Sequence, residues 1–199
     1  MDVKDPAYMG VISKQIDAIS VALDRRMLVL CTSYKQTTAL RQILEPGIKE
    51  DNRRLIVQKP GISRNLLVRQ YLEHPHSILI GTSSFWEGVD FPGDKVEILC
   101  IIKTPFDNPF DPLIQSQIED YTQHGENAFL QYQVPEAALK LRQGFGRLIR
   151  NMTDMGICIL MDTRLCRRQY GKTILGSLPV EAVPYQHVGK LISDSQKFF

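Results

Sequence analysis

Five short apolar runs recur along the chain, at residues 27–32 (MLVLCT), 55–58 (LIVQ), 77–81 (SILIG), 96–103 (VEILCIIK) and 156–161 (GICILM), and most are uninterrupted rather than alternating. A strand with one wet face alternates polar and apolar residues. A continuous run fits a strand covered on both faces, as in a parallel sheet. Between the runs the apolar spacing turns helical, at 11–25, 35–44, 63–73, 113–123, 135–150, 170–178 and 185–197. Strand-then-helix order, repeated, predicts an α/β fold: a mostly parallel sheet with helices on both faces. There is no internal repeat, and Pro46–Gly47, Pro60–Gly61 and Pro92–Gly93 read as loops rather than as a domain linker. In such a sheet ligands gather outside the carboxyl ends of the strands. That edge should hold residues 33–34, 82–90, 104–109 and 162–164. Their placement says where to look and not for what.

The 199 residues suit one α/β domain, and 43% hydrophobic residues suffice for one sizeable core. Lys and Arg total 24 against 22 Asp and Glu, a formal net charge of +2, so any nucleic-acid contact must come from a local patch. Cys31, Cys100, Cys158 and Cys166 lie far apart with no CxxC pair, which excludes zinc-ribbon and ferredoxin-type iron–sulfur spacing. They read as buried small hydrophobes in a reducing compartment. The opening residues carry Asp2, Lys4 and Asp5 and read as neither signal peptide nor anchor. No apolar stretch approaches the roughly 20 residues of a membrane span, so the expectation is a cytoplasmic protein without a membrane partner. His74 and His76, either side of Pro75, are not a metal signature on their own.

Residues 134–150 (VPEAALKLRQGFGRLIR) hold the densest information. Pro135 suits a first helical position and Glu136 the positive end of the helix dipole. If the helix runs to residue 150, Gln143, Arg147 and Arg150 share one face. Guanidinium groups match phosphate oxygens by paired hydrogen bonds and always carry charge. The competing reading is a solvated basic face. Gly144 and Gly146 are poor helix formers, which suggests a close backbone approach. A second segment, 77–93 (SILIGTSSFWEGVDFPG), leaves a strand for a small, polar, glycine-bearing loop. Gly81 and Gly88 admit close approach, Thr82, Ser83 and Ser84 offer hydroxyls, and Asp90 is an acceptor. Trp86, the single tryptophan, reads as a core or interface residue or as a base-stacking one.

Together FWEGVDFPG and QGFGRLIR resemble motifs V and VI of superfamily 2 helicases, and specifically the DinG/XPD branch. LVLCTSY (28–34), TPFDNPFDP (104–112), ENAF (126–129) and DTRLCRRQYGKTILGSLP (162–179) extend the resemblance over about residues 27–179. It implies a RecA-like fold over 27–199, the second of two motor domains, behind a helical lead-in at 1–26. It also implies ATP and Mg2+ in a cleft shared with an N-terminal RecA-like domain that holds most of the nucleotide. On this resemblance Arg150 is the arginine finger, with Arg147 and Gln143 close to the phosphates. Gly88 and Asp90 approach the nucleotide, and Glu87 links the ATP side to the DNA side. Ser33, Tyr34, Thr82 and Ser83 contact single-stranded DNA. The branch typically moves 5′ to 3′, and no iron–sulfur cluster is expected in this half.

Two motor parts are missing from the sequence: a GxxxxGK(S/T) phosphate loop and a DEAH-like carboxylate segment. Gly171-Lys172-Thr173 has the tail of a phosphate loop, but Cys166 stands where its first glycine belongs and no β run leads into it. The isolated chain is therefore expected neither to hydrolyse ATP nor to unwind DNA. Lys35, Arg41, Arg53, Arg54, Arg64 and Arg69 read equally as strand-binding cations and as solvated surface charge. Two other readings stay open: a nucleic-acid or protein interaction module that has lost motor function, and an unrelated doubly wound nucleotide-binding domain.

Overall fold

A computed structural model describes residues 3, 5–48, 51–82, 85, 91, 95–146, 148–149 and 154–199. The five apolar runs become β1 (Met27–Leu30), β2 (Arg54–Val57), β3 (Ser77–Gly81), β4 (Ile98–Ile101) and β5 (Ile157–Leu160). They form one sheet in the order β2-β3-β1-β4-β5, every neighbouring pair parallel. Met27 stands opposite Ile78 on one side and Ile98 on the other. The helices are α1 (Tyr8–Leu23), α2 (Tyr34–Ile48), α3 (Arg64–Leu72), α4 (Pro112–Gln123), α5 (Val134–Phe145), α6 (Arg164–Arg167), α7 (Gln169–Gly176) and α8 (Val188–Phe198), with a π turn (Phe129–Gln133) leading into α5.

The unbroken apolar runs follow from two separate cores. Leu28, Leu30, Leu79, Leu99 and Ile101 point to one face, where Leu67, Val68 and Tyr71 of α3, Ala137 and Leu141 of α5 and Ile174 of α7 cover them. Met27, Val29, Ile78, Ile80, Ile98 and Cys100 point to the other, under Ile12, Ile16 and Ile19 of α1 and Leu40 and Leu44 of α2. The central strands read as nearly unbroken apolar runs because successive Cβ atoms alternate between these two dry faces. β1 leaves for α2 on one face, while β4 leads to α5 on the other. Their carboxyl ends therefore flank a topological switch point, the place where open α/β sheets bind ligands.

The helices depart from expectation in two places. Pro46–Gly47 lies inside α2 rather than in a loop. Pro46 falls in the last turn, where its missing N–H removes one helical bond and little helix remains to be disturbed. The arginine-bearing helix ends at Phe145, not at residue 150, and the Gly146 N–H closes it on the Arg142 carbonyl at 3.0 Å. Gly144 and Gly146 weaken the helix as their propensity dictates. A Cβ on Gly146 would meet only the carbonyls of Gln143 and Arg142, at 3.4 and 3.6 Å, so among the described residues no other element crowds it.

Candidate functional site

At the carboxyl edge of the sheet the backbone stops pairing with neighbouring strands, and its amides need other partners. Three threonines solve this in the same way. The N–H and Oγ1 of Thr32, after β1, both donate to Gln36 Oε1, at 2.9 and 3.1 Å. The N–H and Oγ1 of Thr82, after β3, both donate to Gln58 Oε1, at 2.7 and 3.0 Å. The N–H and Oγ1 of Thr104, after β4, both donate to Asp162 Oδ2, at 2.9 and 2.7 Å. Gln36 comes from the first turn of α2, Gln58 from the end of β2 and Asp162 from the end of β5. Each clamp ties a strand end to an adjacent element. Each also consumes an amide that a phosphate cradle would need free.

The Asp162 clamp is the most buried. Asp162 is 3% exposed. Arg164 meets both its oxygens, with Nε 2.9 Å from Oδ1 and Nη2 2.7 Å from Oδ2. Burial pushes the carboxyl up, but the Arg164 and Thr104 hydrogen bonds outweigh it and hold the group below the usual carboxylate range. The Arg164 guanidinium sits 5.6 Å over the Phe106 ring. Phe106 packs in turn on Phe129 and Tyr170, each with centroids 5.5 Å away. The Tyr8 hydroxyl donates to the Ile102 carbonyl at 2.5 Å, fixing the start of α1 to the same edge. Burial raises the Tyr8 phenol well above its ordinary range.

At the other side of the edge, Gln58 Nε2 donates to Tyr34 Oη at 3.3 Å. Tyr34 opens α2 with its side chain largely in solvent, 43% exposed. Its carbonyl accepts from Thr37 Oγ1 and Thr38 Oγ1 at 2.9 and 3.0 Å. Ser33 and Lys35 beside it are exposed, and Ser33 Oγ accepts from the Gln36 N–H at 3.4 Å.

The residues nominated from sequence divide as follows. Ser33 and Tyr34 lie exposed on the carboxyl edge, and Gln143 is exposed near the end of α5. Thr82 is on the same edge but only 4% exposed, its hydroxyl spent on Gln58. Ser83, Glu87, Gly88, Asp90, Arg147 and Arg150 lie outside the described residues. Because α5 stops at Phe145, the four-and-three spacing from Gln143 does not run along one helix. Of the nominated cations, Arg53 and Arg54 sit at the amino end of β2, the wrong end. Arg53 is tied to Asp17 at 2.8 Å and Asp51 at 2.6 Å with its side chain 7% exposed. Arg41 and Arg69 pair with Glu45 and Glu73 one turn on. Gln36 and Gln58 went unnoticed: a lone glutamine beside a strand end carries no motif. The Asp162-x-Arg164 spacing was the signal for the third clamp.

The near-match to a phosphate loop has a packing explanation. Gly171 is buried in α7, and a Cβ there would lie 1.9 Å from the Leu165 carbonyl oxygen. Glycine lets α7 rest on the backbone of α6. No three His, Cys, Asp or Glu side chains among the described residues are grouped to hold a metal ion. No described helix is long and apolar enough to cross a membrane.

A family model described as helicase C-terminal domain matches residues 16–181. The chain is 43% identical over 154 residues to the ATP-dependent DNA helicase YoaA of Haemophilus influenzae, covering 77% of this chain and 23% of that protein. It is 33% identical over 183 residues to the 3'-5' exonuclease DinG of Bacillus subtilis, covering 92% of this chain and 20% of that protein. The chain thus spans about a quarter or less of these curated relatives. Among solved structures, S. tokodaii Xpd4 superposes with a TM-score of 0.60 at 16% identity, over 87% of this chain and 34% of that one, a likeness of fold.

Proposed function

Because the chain belongs to the helicase C-terminal domain family, of the DinG/XPD type, we propose that it is the second motor lobe of an ATP-dependent DNA helicase. In this reading a preceding RecA-like domain holds the nucleotide and its magnesium, and this lobe closes over them. The observation that carries it is the clamped carboxyl edge. The amides of Thr32, Thr82 and Thr104 are all engaged by side chains of the same domain. A lobe built this way is suited to complete a nucleotide site and not to form the cradle itself.

The bound ATP supplies the phosphoryl chemistry. This chain contributes charge and contact to it. Arg150 reaches the γ-phosphate as the finger, a role worth about 10³–10⁵ in rate. Arg147 and Gln143 stand near the phosphates, Gly88 and Asp90 approach the nucleotide, and Glu87 connects that side to the strand. Ser33, Tyr34, Thr82 and Ser83 line one wall of a single-strand groove. Thr82 serves there as a clamped wall residue, since its hydroxyl is already committed. The wall meets phosphates rather than base edges, as suits a motor moving 5′ to 3′ along any sequence.

The test compares ATP hydrolysis by the 199-residue chain with that of the intact protein containing it. The expected result is no turnover by the chain alone and single-strand-stimulated turnover by the intact protein. Hydrolysis by the isolated chain, or an intact protein indifferent to both ATP and DNA, contradicts the reading. The second outcome would leave an interaction module derived from a motor.

A further inference from the structure

Gln58 touches two nominated strand-contact residues, Tyr34 and Thr82, and its amide orientation is fixed by chemistry. The Thr82 backbone N–H is a donor only, so the Gln58 atom 2.7 Å from it must be the oxygen. The NH2 group then necessarily faces Tyr34 Oη, 3.3 Å away. A phenol oxygen that accepts from Nε2 cannot direct its own proton back along that line. Among the described residues no acceptor takes the Tyr34 proton, and the side chain stands 43% exposed at the switch-point edge. Thr37 and Thr38 hold its backbone from the next turn of α2. The phenol is therefore turned outward as a donor, beside the exposed Ser33 and Lys35 at the start of α2.

We propose that Gln58 is a positioning residue for strand binding: it orients the Tyr34 hydroxyl as a donor to a phosphate oxygen of single-stranded nucleic acid, and couples that donor to Thr82, just after β3. This rests on the single-strand groove proposed above. It adds a residue that contacts no strand itself, and it predicts that the Tyr34 hydroxyl, rather than that of Thr82, is the phosphate donor. A phosphate arriving at Tyr34 is sensed at Thr82 because one rigid amide joins them.

Anisotropy of a labelled oligothymidylate, titrated with the 199-residue chain at low ionic strength, tests this through a double-mutant cycle. Tyr34→Phe removes the hydroxyl, and with it the long 3.3 Å hydrogen bond from Gln58, and should weaken binding about tenfold, the scale of one hydrogen bond to a charged group. Gln58→Glu keeps the acceptor for Thr82 but offers no donor, so it draws the phenol proton inward. Introduced into the wild type it should cost at least about tenfold, and introduced into the Tyr34→Phe background about tenfold less. Repulsion between its new charge and the strand contributes equally to both backgrounds and cancels. The thermal midpoint of each variant, followed by circular dichroism, confirms folding. Wild-type affinity in Tyr34→Phe, or an equal cost of Gln58→Glu in both backgrounds, overturns the inference while leaving the groove. A wild-type chain that binds no single strand removes the groove and the inference together.

Discussion

Asp162 is almost fully buried yet ionised, because Arg164 and Thr104 together meet both of its oxygens. Asp162→Asn removes the charge that Arg164 was buried to meet and should cost about 3 kcal/mol in urea unfolding. The pH dependence has a definite sign. The folded carboxyl is held below its ordinary value, so its contribution is fully present above the unfolded aspartate pKa of about 3.9. It is lost as pH falls through the lower folded value. The acid limb of the stability curve should therefore flatten in Asp162→Asn, and an unchanged limb would remove Asp162 as its source. The cysteines give a second residue-scale test. Burial pushes the Cys158 thiol up to about 12 and raises Cys31 and Cys100 beyond that, whereas Cys166 is exposed. A thiol reagent at neutral pH should label Cys166 first in the folded protein, the half-buried Cys158 more slowly, and Cys31 and Cys100 only on unfolding, as intact mass would show.

At the scale of elements, Gly171 marks where α7 meets the backbone of α6. Gly171→Ala must part the two helices, because the added Cβ would lie 1.9, 2.6 and 2.8 Å from backbone atoms of Leu165. The expected loss is about 2–3 kcal/mol by urea unfolding. A neutral substitution would mean that the helices slide freely. The strands were legible in the sequence: β1, β3 and β4 are buried on both faces and read as solid apolar runs, and the edge strands β2 and β5, partly open, keep apolar runs of their own. Helix ends were less legible, because they depend on local breaking points that periodicity does not see. Pro46 looks like a terminator but falls where α2 is ending anyway. Gly146, expected at a close approach, instead caps the end of α5 after Phe145. The site was half legible. The position of Ser33 and Tyr34 at the carboxyl edge follows from strand order, but Gln36 and Gln58 act through side-chain hydrogen bonds that no pattern announces.

Across the whole molecule the two ends of the sheet differ in construction. The amino end is a lock: Arg53 bridges α1 to the start of β2 through Asp17 and Asp51, and Arg25 joins Glu97 while lying 4.1 Å over the Phe199 ring. The carboxyl end carries the three threonine clamps and the exposed Tyr34. Stability and strand binding should therefore separate by mutation. Arg53→Ala should lower stability by about 1 kcal/mol, since the buried guanidinium and its hydrogen bonds are lost while Asp17 and Asp51, both more than a third exposed, stay solvated. Single-strand affinity should stay within about twofold, because the proposed groove is at the far end and salt screens the intervening distance. A larger fall in affinity would place strand contacts at the amino end.

Everything in the motor reading converges on an arginine that this lobe lends to a triphosphate held by another. The direct measurement is steady-state, DNA-stimulated ATP hydrolysis by the intact protein carrying Arg150→Ala. A group engaged only as charge develops should lower kcat by about 10³-fold or more while leaving KM for ATP nearly unchanged. Turnover equal to wild type would contradict the account.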